Sequence, residues 1–398
     1  MPKRRSKKSN RQTPLELVTE LMAIPGVSCQ EGAVMERVRA GLLQAGAEAK
    51  MLRFDTAHKK TLVAGQVGNL ILKLPGTVRG PRRMLSAHTD TVPVCLGSKP
   101  VRRGKVVESA NPQSGLGADD RSGTAVLLAT AQMLLRDNPP HYPVTFLWTV
   151  QEEVGLHGAR HVSAAQLGRP KQAFNFDGGS ARTLIIGATG GYRLKIDVRG
   201  VASHAGMAPE KGVSAIAIAS LAISDLVDNG WHGLVKKGKQ TGTSNVGVIE
   251  GGAATNVVND RVSIRAEARS HQPKFRERIV REIEKAFLRA VAKVRSADGK
   301  RGSAEFDGAL DYEAFRLPKG DPSVQAAAAA IRAEGFEPEF SIASGGLDAN
   351  WLTARGVPTV TLGCGQYNIH TVDEYLDIAQ FEMSCRLAER LVIANEAE

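Results

Sequence analysis

The chain has 398 residues, of which 42% are hydrophobic and 23% are charged, and its formal net charge is +11. This composition excludes a disordered chain, and no run approaches the about 18 uninterrupted apolar residues that a membrane span requires. At about 150 residues per domain, the length corresponds to two or three domains.

The excess positive charge is concentrated in residues 1–12, MPKRRSKKSNRQ, which hold six cations and no acid and leave a net charge of +5 for the rest. Such a run predicts a disordered basic tail. Contact with nucleic acid or an anionic surface is one interpretation, and we favour a solvated terminus with no partner. No apolar segment follows the tail, so we expect no secretory signal, and the four scattered cysteines predict reduced thiols in a cytoplasmic protein.

Residues 13–187 alternate between predicted helices and predicted strands. Apolar residues at helical spacing predict helices at 14–22, 32–46 and 123–135. Short apolar runs predict strands at 69–74, 83–87, 144–150 and 173–176. This alternation is typical of an α/β layer architecture.

The pattern changes near residue 190. Residues 192–198 alternate apolar and polar side chains, as a half-exposed antiparallel strand does. Further predicted elements are a helix at 214–227, strands at 246–249 and 261–268, and an amphipathic helix at 274–294. We therefore predict an inserted α+β domain over 188–303. The first domain resumes over 304–398, with a helix at 324–334, a strand at 358–362 and a helix at 378–394.

Acidic residues and histidines occupy five short segments, most of them directly after predicted strands. The segments are AHTD at 87–90, GADD at 117–120, QEE at 151–153, NFD at 175–177 and IHT at 369–371. Ligands bind at the carboxyl ends of strands in an open α/β sheet. Each segment alone is more typical of a helix cap or a solvated charge. Together they indicate a divalent metal site, because converging carboxylates repel one another unless a cation neutralises them.

Two spacings within these segments suit metal-dependent chemistry. His88 and Asp90 face the same side of an extended segment, so the Asp90 carboxylate can orient the His88 ring. Glu152 and Glu153 point in different directions, which leaves one as a general base while the other binds metal. The alternative is that these two acids only begin a helix near residue 155, where acids suit the helix dipole.

Six segments, taken in order, resemble the signature segments of M20-family metallopeptidases. They are SAHTDTVP, GADDRSG, QEEVGLHGA, DGG, ASHAG and HTVDEY. From about residue 14 onward the chain is most similar to the tripeptidase T-like aminopeptidases. The resemblance implies a mixed-sheet catalytic domain of the zinc-dependent exopeptidase type, with an inserted α+β lid and dimerisation domain.

The resemblance also implies two divalent metal ions, with Zn²⁺ expected and Co²⁺ or Mn²⁺ as alternatives. The implied ligands are His88 and Asp177 for one ion, Glu153 and His370 for the other, and Asp119 as the bridge between them. In this family the peptide bond after the bridging aspartate, here Asp119–Asp120, is cis. Glu152 is implied as the general base for the attacking water, and Asp90 as the partner that orients His88.

Further site residues are implied for the lid and for a glycine-rich loop. His204 would contact the scissile carbonyl oxygen, often from a partner subunit. Asn256 and Arg269 would bind the substrate backbone or its C-terminal carboxylate, and Gly346 lies in the substrate loop. The alternative for His204 is a hydrogen-bonded surface residue, and the alternative for Arg269 is an exposed charge at a strand end. Arg121 replaces the lysine that many relatives carry, and we attach no change of function to it.

We therefore predict an exopeptidase that acts on short peptides, releases the N-terminal residue of tripeptides and dimerises through its lid. A carboxypeptidase or an N-acyl amino-acid deacylase on the same scaffold is the alternative. A nucleotide-binding enzyme is a further alternative, because GLVKKGKQ at 233–240 resembles a Walker A loop. This stretch lacks the Ser or Thr that holds Mg²⁺, which argues against that alternative. The sequence contains neither G-x-S-x-G nor H-E-x-x-H, which argues against a serine hydrolase and a helix-borne zinc site.

Overall fold

A computed structural model describes residues 11–61 and 64–394. Within these ranges the α-helices are α1 Pro14–Ala23, α2 Gly32–Gln44, α3 Ala118–Asp137, α4 His157–His161, α5 Ala215–Asp228, α6 Pro273–Lys293, α7 Pro322–Ala333, α8 Asp348–Ala354 and α9 Ile378–Val392. The strands are β1 Leu52–Phe54, β2 Leu70–Leu74, β3 Arg83–His88, β4 Pro100–Arg103, β5 Val106–Ser109, β6 Val144–Thr149, β7 Gln172–Phe176, β8 Thr183–Ala188, β9 Gly190–Arg199, β10 Ser203–His204, β11 Gly233–Lys237, β12 Gln240–Gly251, β13 Val257–Val258, β14 Arg261–Ser270, β15 Ser303–Tyr312, β16 Phe315–Arg316, β17 Glu339–Ala343, β18 Thr359–Leu362, β19 Gln366–Tyr367 and β20 Tyr375–Asp377.

The predicted basic tail falls mainly outside the described residues, which begin at Arg11. Its last two residues make hydrogen bonds with the folded chain. Arg11 pairs with Asp137 at 3.0 Å, and the Gln12 side-chain amide donates to Glu20 at 2.7 Å. These two residues are therefore not part of a disordered tail. None of the helices in the described ranges is long and apolar enough to span a membrane.

The chain divides into two compact units. The first comprises the residues up to Gly187, Arg316–Ile342 and the residues from Leu347 onward, and the second comprises Ala188–Phe315 and Ala343–Gly346. The predicted end of the inserted domain, 303, differs from the observed boundary at Phe315. The reason is β15, which pairs with β9 along its length and so belongs to the sheet of the second unit. Residues 304–315 were therefore wrongly assigned to the catalytic domain.

The first unit is built on a nine-stranded mixed sheet with the order β1-β2-β6-β3-β7-β18-β8-β16, and β17 pairs with β8. At its centre, β6, β3, β7 and β18 run parallel. Every residue of β6, VTFLWT, is buried, as expected for a strand covered on both faces. An antiparallel sheet in the order β19-β20-β5-β4 completes the unit. This mixed architecture confirms the predicted fold class.

Helix α3 packs against the centre of this sheet, and it contacts α1, α9 and β3. Its apolar residues are buried from Ala125 to Leu128, which explains why the sequence shows such a strong helical signal there. Its first turn departs from helical geometry at Asp119 and Asp120, and the peptide bond between them is cis. The helix therefore carries two acidic residues in a non-helical turn at the carboxyl edge of the parallel strands.

The second unit contains a five-stranded antiparallel sheet with the order β11-β12-β14-β9-β15 and a two-stranded ribbon of β10 and β13. Along β9, alternate residues such as Leu194, Ile196 and Val198 are buried, while their neighbours are more exposed. Helices α5 and α6 cover the buried face and contribute Ile218, Ile279 and other apolar side chains to one core. The period-two pattern thus predicted a sheet with one covered face correctly.

Gly123 permits the close approach of α3 to β7. A Cβ atom at this position would lie 2.0 Å from the carbonyl oxygen of Phe176, which is backbone and has little freedom to move. We expect Gly123→Ala to lower the free energy of unfolding by about 1–3 kcal/mol through overpacking. Gly320→Ala is the matched control, because no atom lies within 4 Å of a Cβ there. Thermal denaturation of both variants tests this, and equal melting temperatures would contradict it.

Candidate metal centre and active site

The predicted metal ligands of the first unit come from loops at one edge of its sheets. His88 ends β3, and Asp177 directly follows β7, so both stand at the carboxyl ends of parallel strands. Glu153 lies in the loop after β6, and Asp119 lies in the first turn of α3. His370 lies between β19 and β20 and has a positive φ of 64°. The topology thus brings five residues that are distant in sequence to one edge.

Asp119 lies between the two histidines. Its Oδ1 atom is 3.0 Å from Nε2 of His88, and its Oδ2 atom is 3.2 Å from Nε2 of His370. Nε2 of His370 is also 3.0 Å from Oε1 of Glu153. The Asp119 carboxylate therefore faces His88 with one oxygen and the pair His370–Glu153 with the other. A ligand that bridges two metal ions requires this arrangement.

Asp177 joins this cluster through a residue that the sequence analysis did not single out. The side-chain amide of Gln366 donates to Oδ1 of Asp177 at 3.0 Å and to Oδ1 of Asp119 at 3.2 Å. Its own carbonyl oxygen accepts a hydrogen bond from the Ser122 hydroxyl at 3.0 Å. Gln366 thereby holds the two carboxylates in a fixed relation. No sequence signal marked this glutamine, because its partners are far away in the chain.

Asp120, the second acid of the GADD segment, has a different set of partners. Its Oδ2 accepts the backbone N–H of His88 at 3.1 Å, and its Oδ1 accepts that of Gly123 at 2.9 Å. Asp120 therefore ties the end of β3 to the start of α3. Its carboxylate also comes close to the metal-ligating atoms of His88 and Asp177.

Burial dominates the electrostatics of the cluster. Burial, followed by the negative charge of Asp119, raises the pKa of Asp177 to about 6. Burial likewise raises the pKa of Glu153 to about 7, although its hydrogen bond with His370 acts in the opposite direction. For Asp119, burial is outweighed by the hydrogen bonds from His370 and His88, so its pKa lies below the usual range. The carboxylates therefore share a site in which a further positive charge is strongly favoured.

The donor set fits divalent metal ions. Two groups of three residues, each with one donor atom per residue, have those atoms within 4.8 Å of one another; the groups are His88, Asp120 and Asp177, and His88, Asp119 and Glu153. Imidazole and carboxylate are the donors that Zn²⁺, Co²⁺ and Mn²⁺ accept. A cation would also offset the repulsion that raises the pKa values of the buried acids.

Asp90 connects His88 with the loop that carries Glu152. Nδ1 of His88 lies 3.1 Å from the Asp90 carbonyl oxygen and 3.5 Å from Oδ1, which leaves Nε2 directed at Asp119. The two carboxylate oxygens of Asp90 accept the backbone N–H groups of Glu152 at 3.0 Å and Glu153 at 3.1 Å. The hydrogen-bond partner of Nδ1 of the His88 ring is thus the backbone carbonyl of Asp90, whereas the sequence indicated its carboxylate, which instead anchors the backbone of the two glutamates.

Glu152 is buried beside this cluster. Burial, the largest cause, raises the pKa of Glu152 well above its usual range, while the neighbouring His88 acts to lower it. A carboxylate with an elevated pKa is suited to accept a proton near neutral pH.

Glu374 is a second supporting residue that the sequence analysis did not single out. Its carboxylate accepts the backbone N–H of Gly117 at 2.6 Å and that of Asp119 at 3.0 Å. It is 1% exposed, and it lies four residues after His370 in the HTVDEY segment. Glu374 therefore fixes the turn that presents Asp119, and its position inside a recognised motif was the available signal.

The remaining predicted site residues lie in the second unit. His204 is exposed, and its Nδ1 accepts the backbone N–H groups of Gly206 at 3.2 Å and Met207 at 3.1 Å. Asn256 is exposed, in the turn before β13. The Arg269 guanidinium donates to both carboxylate oxygens of Glu267 at 2.9 Å.

Gly346 belongs to the second unit, whereas the sequence placed it in the catalytic domain. The physical reason is its packing: a Cβ atom at Gly346 would lie 2.7 Å from the Tyr312 ring, and Tyr312 ends β15 of the second unit.

The mixed sheet places His88 and Asp177 at the carboxyl ends of its parallel strands, next to further buried carboxylates and His370, and this arrangement is typical of a metal-dependent enzyme. Residues 84–394 match the description "Peptidase family M20/M25/M40". The chain belongs to this metallopeptidase family.

Similar proteins of known structure agree with this assignment. The chain is similar to a tripeptidase from Staphylococcus aureus (28% identity, TM-score 0.85, covering 96% of this chain and 98% of that one). It is similar to aminopeptidase PepT from Bacillus cereus (30% identity, TM-score 0.82, covering 95% and 97%). It is also 32% identical to the uncharacterised protein YqjE from Bacillus subtilis, over 96% of this chain and 98% of that protein.

The central position of Asp119 leads to a prediction about metal content. We expect Asp119→Ala to lose both metal ions together, because the removed carboxylate faces His88 and His370 at once. Elemental analysis of the purified protein measures the ratio of metal to chain. Asp137→Ala, which removes a surface acid paired with Arg11, is the control. One ion retained at full occupancy would contradict a bridging position.

Proposed function

We propose that this chain is a dinuclear metal-dependent aminopeptidase that releases the N-terminal residue of short peptides, with tripeptides as the preferred class. The observation that carries the proposal is the cluster of two histidines and two further carboxylates around Asp119, with the buried carboxylate of Glu152 beside it. The names of the Staphylococcus aureus and Bacillus cereus relatives support the choice of substrate class.

In this proposal each metal ion has its own ligands and shares Asp119. His88 and Asp177 hold one ion, and Glu153 and His370 hold the other. When bound, two such ions polarise the scissile carbonyl and favour deprotonation of the attacking water. Gln366 and Glu374 keep the ligands in place through the hydrogen bonds described above.

Glu152 is the proposed general base. Its carboxylate accepts a proton from the attacking water and delivers it to the leaving amine nitrogen as the peptide bond breaks. The backbone N–H of Glu152 donates to Asp90, which fixes the position of the backbone from which the side chain extends. Its burial favours the protonated form once the proton has been accepted.

Residues of the second unit are proposed to hold the substrate. Arg269 presents a planar fork that can grip a C-terminal carboxylate at two points, with Glu267 fixing its orientation. Asn256 and Gly346 are proposed for the substrate backbone, and His204 for the scissile carbonyl oxygen. Dimerisation through this unit and a cytoplasmic location stay predictions of the sequence.

A panel of small substrates tests the substrate class. We expect leucyl-glycyl-glycine to yield leucine and glycylglycine, because the amino end of the substrate would meet the metal centre. Mass spectrometry distinguishes the products. Release of glycine would instead indicate a carboxypeptidase, and cleavage of N-acetyl-leucine alone would indicate a deacylase. Either result would overturn the aminopeptidase proposal.

The role of Glu152 is tested by Glu152→Gln. We expect a loss of about 10²–10⁴-fold in kcat, since the amide no longer accepts the proton of water. The metal content is expected to stay that of the original protein, because Glu152 is not among the proposed ligands. Glu48→Gln, at an exposed position, is the matched control. Turnover of Glu152→Gln near the original level would remove this residue from the role of base.

A further inference from the structure

The loop after β6 is held by an unusual concentration of buried acceptors. Three consecutive backbone N–H groups, those of Gln151, Glu152 and Glu153, all donate to carboxylate oxygens. Asp90 accepts the second and third, and Glu31 accepts the first at 3.0 Å. Charge-assisted bonds of this kind are stronger than those between neutral groups. The segment that presents the proposed base is therefore anchored at each of its three residues.

Glu31 stands at the beginning of α2, 120 residues away from Gln151 in sequence, and it is fully buried. Its side chain makes no capping bond to its own helix. Oε1 accepts the N–H of Cys29 at 2.9 Å as well as that of Gln151. This carboxylate thus bonds to the backbone of neighbouring segments and does not cap α2.

The buried carboxylate of Glu31 also has an unfavourable effect on stability. Its Oε2 atom is buried and has no hydrogen-bond partner among the described residues. An unpaired buried carboxylate oxygen destabilises a fold. Buried polar atoms are normally hydrogen-bonded, and residues that depart from this rule are expected at functional sites.

The backbone that Glu31 contacts is itself in a restricted conformation. Gln151 has a φ of +56°, in the left-handed region that residues other than glycine rarely adopt. Its side-chain amide is buried, and neither polar atom of that amide has a partner in the described part of the chain. The side chain therefore contributes no hydrogen bond to hold this conformation, whereas the bond from its N–H to Glu31 does.

We propose that Glu31 is a positioning residue, which fixes the backbone at Gln151 and thereby aims the side chain of Glu152 at the substrate. The proposal rests on the proposed function, in which Glu152 is the general base. In this proposal Glu31 acts only through the loop, and it is not among the proposed metal ligands or substrate-binding residues.

Kinetics on leucyl-glycyl-glycine provide the first test. We expect Glu31→Ala to lower kcat by about 10- to 100-fold with little change in KM, as supporting residues of active sites typically do. Glu31→Gln keeps an acceptor oxygen at the same place and is expected to lose less activity than Glu31→Ala. Glu36→Ala, an exposed acid of the same helix paired with Arg39, is the matched control and should leave kcat unchanged.

A double variant shows whether Glu31 acts through Glu152. In the Glu152→Gln background we expect Glu31→Ala to have little further effect on kcat, because residues that act as a unit are not additive. An equal fold-loss in both backgrounds would overturn the proposal, since it would indicate a general structural role. Full activity of Glu31→Ala would overturn it as well.

Hydrogen exchange on the metal-free protein gives a readout that is independent of activity. We expect faster exchange of the Gln151 amide in Glu31→Ala than in Glu31→Gln or Glu36→Ala. Unchanged exchange would show that the bond from Gln151 does not hold the loop. If Glu152→Gln alone retained full turnover, the proposed role of Glu152 as base would fail, while the exchange result would still decide whether Glu31 fixes the loop.

Discussion

Burial of acidic groups at one edge of a parallel sheet is the constraint on which the first unit depends. Asp119, Asp120 and Asp177 are all buried there, beside Glu152. Carboxylates removed from water favour protonation, and each added negative charge raises the pKa of the neighbouring carboxyl groups. This unfavourable burial of negative charge is offset by the histidines and by backbone N–H donors. In our proposal two metal ions offset it further. The electrostatic cost of the site and its capacity to bind cations therefore have the same origin.

Backbone groups donate most of the supporting hydrogen bonds, and the side-chain bonds of Gln366 are the exception. Asp90, Asp120 and Glu374 accept N–H groups from the loops that carry the ligands and the base. Glu31 extends the same pattern by one further residue. A carboxylate bound to backbone N–H groups fixes a loop without depending on the identity of the side chains in it. These four acids thus fix the positions of the reactive groups through the backbone, without any need to contact the substrate.

Local sequence patterns predicted the regular elements well where they are long and periodic. The predicted helices at 14–22 and 274–294 correspond to α1 and α6, and the predicted strand at 144–150 corresponds to β6. The short strands β4 and β5 and the longer strand β15 were not predicted from the sequence. Gly308 interrupts the apolar–polar alternation of β15, SAEFDGALDY, which weakens its strand signal, and the pairing with β9 places β15 in the second unit. The domain boundary was wrong for the same reason.

By itself the sequence determined the α/β class, the inserted domain and the residues whose motifs resemble a metallopeptidase, because these depend on local periodicity and on segments a few residues long. Only the tertiary structure decided that Gln366 bonds to Asp119 and Asp177, that Glu374, Glu31 and Asp90 accept backbone N–H groups of loops at the site, and that Gly346 packs with β15. Each of these roles is a hydrogen bond or close contact between segments that are distant in the chain. No pattern within one segment carries information about such a partner, since the partner is chosen by the packing of the whole unit.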